Sequence, residues 1–563
     1  MVVGLAVPAQ ASESLIDRAA LREVLSHDAR ASGASTVRLQ LPEAPRASAA
    51  AAARGLSALA RERGPGRLLI GLRAHADRGG VTRAVERSGG RATAIDSIGV
   101  LAVETPSVAG LTASLRRDPR VAYVERDEEV RLAADPFDAP DPATGIPFTW
   151  AFNEVRAGEA LAAAGGGSRR QVAVIDSGLD AGHPDLAGRV GRTFDTASKQ
   201  SDVSDLIGHG TFVAGLISAV DGNGIGGKGV AGATQIYAIR ASVNGTFTVG
   251  DVLRALDYAV KQNADVANLS LAGAGFTQSQ ARALSVAFLN DVLPVAASGN
   301  RALDDNPLEY PAAALGGFRG RRGIGLSVSA TKPDGQVAVF SNHNDFVSLA
   351  APGADQTGCG EGVFSTIPRN LGTHWDEFDS CSRTFSLAGG RWAYAEGTSF
   401  SAPIAAGIAA LTWQVERNLA SEQVAHVLIR SARQTYPGSR WNEFTGAGIV
   451  DGKAATDLAR TYDIRAPRPR ARAGRRGRSS VVARVSRSRD LSNPGRELAG
   501  GVTYALIVST DGGRSYRFAV RHRSRPFRKA IRLRARRRHL LLASVCDRNG
   551  NCASKRLGSF RRR

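Results

Sequence analysis

Between residues 148 and 462 the chain repeats one arrangement: a short, mostly apolar run, then a stretch with helical spacing. Val172-Ala173-Val174-Ile175, Ile236 to Ile239, Val266 to Leu271 and Val292 to Ala296 show little polar alternation. Strands of that kind must be covered on both faces, which excludes a sheet with one side in water. Asp251 to Gln262 instead sets Val252, Leu253, Leu256, Ala259 and Val260 on one helical stripe, with Asp251 as the expected cap. The predicted fold class is α/β, a doubly wound parallel sheet, with any ligand at the carboxyl ends of its strands.

The flanks read differently. Arg67 to Leu72, Val100 to Thr105 and Val121 to Glu125 suit strands, while Arg83 to Ser88 and Val108 to Asp118 suit helices. This β-α-β-α-β order predicts a small α+β domain over 66–134. Ala133 to Pro147 carries four prolines and three aspartates, a linker by composition. Residues 12–65 form an Ala/Arg-rich spacer. Residues 1–11 resemble part of a secretory signal: Val2 to Val7 is apolar and Ala9-Gln10-Ala11 fits a cleavage site, without the charged start. After the α/β region (135–462), residues 463–478 read as an Arg-rich linker. Residues 479–563 hold strand-like runs, Val502 to Ser509 and Leu540 to Val545, with turn signals at Asp511-Gly512-Gly513 and Asn549-Gly550-Asn551. A small β-sandwich-like domain is expected there.

Charge separates the same modules. The formal net charge is +21, yet Ile464 to Arg563 alone contains 29 Lys and Arg against four Asp and Glu. The remainder is therefore close to neutral, and affinity for an anionic polymer is expected only of the C-terminal module. The longest uncharged apolar stretch, Phe400 to Val415, is too short to span a bilayer, so no transmembrane anchor is expected. The four cysteines form two local pairs, Cys359/Cys381 and Cys546/Cys552, with no metal-ligand spacing to His. They read as two disulfides in an oxidising compartment or as four reduced structural thiols.

Three segments of the α/β region carry chemistry. Val174-Ile175-Asp176-Ser177-Gly178 puts a carboxylate at a strand exit, and Gly208-His209-Gly210-Thr211 puts an imidazole at the start of an apolar helix. Gly397-Thr398-Ser399-Phe400-Ser401-Ala402-Pro403 puts a hydroxyl at the start of a small-residue helix. A serine hydroxyl becomes a useful nucleophile only when a base takes its proton. His209 is the expected base, with Asp176 holding its tautomer and stabilising the imidazolium. Ser399 gains further from the positive end of its helix.

The three segments, in the chain order Asp…His…Ser, resemble the signatures of the subtilisin-like serine proteases, and the resemblance extends over 172–462. It includes the continuation Asp180-x-x-His183-Pro184-Asp185-Leu186. Phe212 stands where the family commonly has His, and Phe400 where it commonly has Met. The resemblance implies a self-processing serine endopeptidase that needs no cofactor for its chemistry, acts on polypeptides, is secreted or held at the cell envelope, and is monomeric. Val295 to Asn300 resembles the oxyanion segment, with the Asn300 amide and the Ser399 N–H as donors. Ser270-Leu271-Ala272-Gly273 resembles the strand that pairs with substrate backbone. Residues 67–131 resemble an inhibitory propeptide, which makes the chain's own N-terminal domain a partner.

Asp185 matches a calcium-ligand position, and Asn223, in the loop after the His209 helix, lies where further oxygens are supplied; a structural Ca²⁺ or a plain glycine turn are both open. Glu309, just before Tyr310-Pro311, falls at the base of the primary specificity pocket in the same resemblance. It would pair with a substrate Arg or Lys, or with Arg301 and leave a preference for large apolar residues. Arg131, just upstream of the linker, is then a natural self-cleavage residue. Two other functions stand against the protease: an esterase using the same serine, and a non-catalytic polyanion-binding protein on an inactive scaffold. Reaction of Ser399 with a labelled fluorophosphonate separates the last from the first.

Overall fold

The computed structural model describes residues 65–132, 149–488 and 502–562, except for short internal segments of which the longest are 355–361, 372–383 and 511–516. The signal-like segment, the spacer and the Pro/Asp-rich linker lie outside the described residues, as do Cys359 and Cys381. Two compact units result: one runs from the first described strand to Arg460, the other from Thr461 onward.

The first unit opens with β1 (Gly66–Leu72), α1 (Arg78–Arg87), β2 (Arg91–Ile95), β3 (Val100–Thr105), α2 (Val108–Leu115) and β4 (Val121–Arg126). The strands form an antiparallel sheet in the order β2-β3-β1-β4. The α+β domain therefore has one strand more than the expected alternation. Arg-Ala-Thr-Ala-Ile offers a single large apolar side chain, and only its pairing with β3 makes it a strand. Period-two alternation sends Leu68 and Ile70 into a local core with Val81, Val85 and Leu111. Leu69, on the other face, joins a larger core with Val252, Leu253 and Leu256. One strand thus serves two cores.

That larger core belongs to a seven-stranded sheet. Its members are β6 (Gln171–Asp176), β7 (Val190–Asp195), β8 (Gln235–Arg240), β10 (Val266–Leu269), β12 (Leu293–Ala297), β13 (Leu326–Thr331) and β14 (Leu349–Pro352). All neighbours are parallel, in the order β14-β13-β12-β10-β6-β8-β7. From β6 the chain crosses to the edge strand β7, returns to β8 beside β6, and then builds the other side from β10. The switch point therefore lies at the carboxyl end of β6, where Asp176 is the last residue. Helices α3 (His209–Ser218), α4 (Val249–Lys261), α5 (Gln278–Leu289) and α6 (Thr398–Val415) surround the sheet. The cap of α4 is Thr248, whose Oγ1 accepts from the Asp251 N–H at 3.1 Å; Asp251 sits in the first turn instead of capping it. Helix α6 is buried from Thr398 to Gln414, and its Ala- and Gly-rich sequence permits close packing.

Three short strands complete a second, antiparallel ribbon, β11-β5-β9: β5 (Glu129–Leu132) lies between β9 (Thr246–Thr248) and β11 (Leu271–Ala272). A third antiparallel sheet joins β15 (Val363–Ile367), β16 (Thr384–Leu387) and β17 (Gly390–Ala395).

The second unit is the expected sandwich. One sheet is β18-β19-β22 and the other β21-β20-β23-β24. Their ranges are β18 (Ala471–Arg475), β19 (Ser480–Val485), β20 (Thr503–Ser509), β21 (Arg517–Arg523), β22 (Phe527–Arg532), β23 (Arg538–Cys546) and β24 (Cys552–Arg561). Val481, Ala483, Leu506, Val508 and Leu541 fill the space between them. A disulfide joins Cys546 to Cys552 across the β23–β24 hairpin. Among the described residues no helix is long and apolar enough to cross a membrane.

Candidate active site

Asp176 and His209 meet because a strand ends where a helix begins. The Asp176 Oδ1 accepts from the Ser177 N–H at 2.7 Å and lies 2.8 Å from His209 Nδ1, with both side chains buried. With Nδ1 facing a carboxylate oxygen, Nδ1 carries the proton and Nε2 is left as the basic nitrogen. His209 is the first residue of α3, preceded by Gly208 at φ 100°, a value that favours glycine. Asp205, not singled out in the sequence, organises this turn. Its Oδ1 accepts from the Ser177 hydroxyl and the Gly208 N–H at 2.9 and 2.8 Å. Its Oδ2 accepts from the Thr211 N–H and hydroxyl at 2.8 and 2.7 Å. With the Ile207 N–H, 3.1 Å from Oδ1, the carboxylate has five donors, a common helix-start device, and nothing in the local sequence separates it from an ordinary cap.

Ser399 occupies the second position of α6 and is fully buried. Its Oγ donates to the Ser270 carbonyl at 3.3 Å, and the structure does not join it to His209. The Ser270 hydroxyl in turn donates to the Ser399 carbonyl at 2.6 Å, so Ser270 grips the serine's backbone. Asn300 approaches from the end of β12. Its Oδ1 accepts from the Thr398 N–H at 2.9 Å and from the Thr398 hydroxyl at 2.7 Å. Those two bonds fix the amide's orientation and leave Nδ2, a buried donor, with no partner in the chain. His209 Nε2 is likewise buried and without a partner. Each such group costs on the order of 1–3 kcal/mol, so two beside the Thr398-Ser399-Phe400 turn call for an explanation.

The two departures from the family pattern touch each other. Phe212 and Phe400 are fully buried with ring centroids 4.5 Å apart, and the Phe400 ring lies 5.4 Å from that of His209. An aromatic wall therefore backs the imidazole.

The Ser270–Gly273 segment divides by role. Leu271 and Ala272 pair through their backbones with Leu132 and Arg131 of β5. Gly273 does not: its N–H and carbonyl are both bonded to Tyr310, at 3.0 and 2.9 Å, so the expected substrate contact at Gly273 is replaced by an internal one. The opposite wall, β9, pairs Thr246, Phe247 and Thr248 with Arg131, Val130 and Glu129. Three residues are too few to signal a strand in sequence. Glu309 is buried, and its Oε2 accepts from Asn342 Nδ2 at 3.2 Å. A Cβ on Gly299 would lie 1.9 Å from that oxygen, which places the carboxylate directly against the segment leading to Asn300. Arg301 is paired with Asp304 at 3.8 Å instead of with Glu309.

Asp185 and Asn223 are brought together as a hydrogen-bonded pair. Asn223 Nδ2 donates to Asp185 Oδ1 at 2.6 Å, and the Trp392 indole N–H donates to Asp185 Oδ2 at 3.0 Å. Calcium requires several convergent oxygens, whereas here both carboxylate oxygens receive N–H donors. Among the described residues no group of three acidic, His or Cys side chains could hold a metal. The two described side chains, Asp185 and Asn223, do not by themselves make a Ca²⁺ ligand set.

Two carboxylates of the N-terminal domain cap helices of the sheet domain. Glu125 accepts from the Gln278 and Ser279 N–H groups at the start of α5, at 3.3 and 3.2 Å. Asp127 accepts from the Gly250 N–H at the start of α4. Burial pushes Glu125 up to about 7 and Asp127 up to about 6, against the lowering effect of these hydrogen bonds.

Comparison with known proteins agrees with this geometry. A profile of the subtilase family matches residues 167–448. Alkaline elastase YaB from Bacillus sp. (strain YaB) is 30% identical over 344 residues, covering 61% of this chain and 76% of that protein. M-protease from Shouchella clausii (strain KSM-K16) is 31% identical over the same length and shares. The crystal structure of fervidolysin from Fervidobacterium pennivorans, described as a keratinolytic enzyme related to subtilisin, superposes with a TM-score of 0.59. The match is 19% identical and covers 89% of this chain and 92% of that one.

Proposed function

The chain belongs to the subtilase family and is a serine endopeptidase, and we propose that it works through Ser399, His209 and Asp176 and cuts itself free of its own N-terminal domain. In this reading Ser399 Oγ turns from the Ser270 carbonyl to His209 and attacks the scissile carbonyl carbon, while its proton passes to Nε2. The oxyanion is held by Asn300 Nδ2 and the Ser399 N–H. Collapse expels the amine, which takes the proton from His209 and leaves an acyl-enzyme. Water then repeats the sequence to release the acid. Asp176 stays ionised and stabilises the imidazolium. The observation that carries the reading is the pair of buried, unsatisfied groups, His209 Nε2 and Asn300 Nδ2, beside one serine.

Residues 66–134 act as the inhibitory propeptide. Support comes from β5, whose backbone takes the place of an extended peptide between β9 and β11. Leu132 is opposite Leu271, the neighbour of Ser270, so the ribbon runs one residue past Arg131 toward Ser399. The self-cleavage bond is accordingly assigned to the stretch from 133 to 135, and Arg131 gives no support for a basic specificity. Export, through the signal-like first residues and into a compartment where Cys546 and Cys552 stay oxidised, completes the proposal.

The test is expression of wild type and Ser399→Ala in a protease-free host, with N-terminal sequencing of the products. Wild type should begin at residue 134 or 135 and the variant should remain uncut. Equal processing of both would refute self-cleavage, and failure of Ser399 to react with a fluorophosphonate in folded, processed protein would refute the serine assignment.

A further inference from the structure

The C-terminal sandwich carries its charge in a pattern. In its three-stranded sheet Arg472 of β18 lies directly opposite Arg484 of β19, and Arg484 lies directly opposite Arg528 of β22. All three are exposed, while the alternate residues of β19, Val481, Ala483 and Val485, are buried. Directly opposed residues on neighbouring strands stand about 5 Å apart, and like charges there repel. A folded sheet has no intrinsic use for three guanidinium groups in a row.

Among the described residues nothing within the module neutralises them. Among the described residues none of the three has an ion pair, and none is bonded to another side chain. The described acidic residues of the module, Asp463 and Asp547, are buried and committed elsewhere: Asp463 Oδ1 accepts from the Arg465 N–H, and Asp547 from Asn551. The row continues along β22 to Arg532, which lines a cavity of about 590 Å³ together with Lys529, Arg534 and Arg562. These four cations also lack ion pairs among the described residues.

We propose that the Arg472–Arg484–Arg528 row, extended through Arg532 to the cavity, is a binding site for a linear phosphodiester polymer recognised through its backbone charge. The physical case is spacing and shape. Guanidinium groups repeated at about 5 Å can meet successive phosphates of an extended chain, each in bidentate fashion. The same outward positions of β19 and β22 carry Ser480, Val482 and Ala530, with no aromatic ring on which a base could stack and no apolar wedge for a bilayer. A base-free polymer and a single-stranded nucleic acid should therefore bind alike per phosphate.

The experiment uses the full chain carrying Ser399→Ala, so that self-digestion does not interfere, and fluorescent poly(glycerol phosphate) of about 20 units as probe. Binding is followed by anisotropy between 50 and 300 mM NaCl. The expected result is affinity that falls with salt. The variant Arg472→Gln/Arg484→Gln/Arg528→Gln should lose at least tenfold in affinity at 100 mM salt. Its log–log salt slope should shrink by about two, since each phosphate contact contributes about 0.7. A control with the same charge change on the other sheet, Arg538→Gln/Lys555→Gln/Arg556→Gln, should lose less than threefold. Equal losses in the two variants would overturn the site in favour of net charge alone. Absence of binding at 50 mM salt, or binding to anionic vesicles but not to the polymer, would also overturn it. Folding is monitored separately: relief of the like-charge row should leave the thermal midpoint unchanged or raised. Lys replacements at the three positions should keep most of the slope.

Discussion

The contact between the N-terminal domain and the sheet domain should weaken as pH rises. Glu125 and Asp127 each bring a carboxyl group out of water onto a helix N-terminus. The helix ends favour the ionised form, but burial prevails, and the groups are pushed up to about 7 and about 6. Tyr123, itself beside Arg282, lies near Glu125, and Asp251, Arg254 and Arg67 lie near Asp127. In the separated domain both carboxyls return to ordinary values, about 4.3 and 3.9. Raised values in the complex mean that the complex binds more protons. Its stability is therefore fully present below about pH 4 and is lost as pH rises through 6 and 7. Taken at face value, Glu125 alone would weaken binding by roughly two orders of magnitude between pH 5 and pH 8, and Asp127 by roughly one. Both side chains keep some contact with water, so a combined effect of about 10- to 100-fold is the fair expectation.

The assay is inhibition of processed enzyme by added N-terminal domain, with the inhibition constant measured from pH 5 to pH 8. The double variant Glu125→Gln/Asp127→Asn should flatten the profile, because neither group can then titrate. That comparison also removes any contribution from His209, which is common to both proteins. An inhibition constant that is constant or improves toward pH 8, or a double variant that keeps the wild-type slope, would refute the reasoning.

Other outcomes follow from the site. Asn300→Ala should lower kcat by on the order of 10²–10³, as loss of one oxyanion donor does in a subtilisin, with KM little changed; a loss below tenfold would remove Asn300 from that role. Thr398→Val, which releases the bonds that orient the Asn300 amide, should lower kcat in the same direction, and the two changes together should be less than additive. Glu309→Gln should reduce turnover of Arg/Lys substrates relative to Phe/Leu substrates by about tenfold, and an unchanged ratio would remove Glu309 from substrate selection. Since the described donors around Asp185 do not suit calcium, a chelator should leave the thermal midpoint unchanged. Trp392→Phe should lower stability by about 1–3 kcal/mol through the orphaned carboxylate oxygen.

Local chemistry wrote much of this protein into its sequence. Apolar runs without alternation demanded a parallel sheet covered on both sides, and Asp176, His209 and Ser399, each within two residues of a glycine, stood out because such turns need glycine and small residues. The segregation of 29 basic residues against four acidic ones marked the last hundred residues as a separate module. Tertiary structure alone decided what depends on register and on partners distant in the chain. Arg91–Ile95 became a strand only because β3 offered an edge, and β9 only because β5 lay beside it. Gly273 went to Tyr310, Asp185 to Trp392, and Asn300 was oriented by Thr398, each through contacts spanning tens to hundreds of residues. The arginine row is the sharpest case. The sequence holds Arg472, Arg484 and Arg528 at unrelated spacings, and only the antiparallel registers of two strand pairs set them opposite one another, because strand pairing is chosen by the buried face and the exposed face follows.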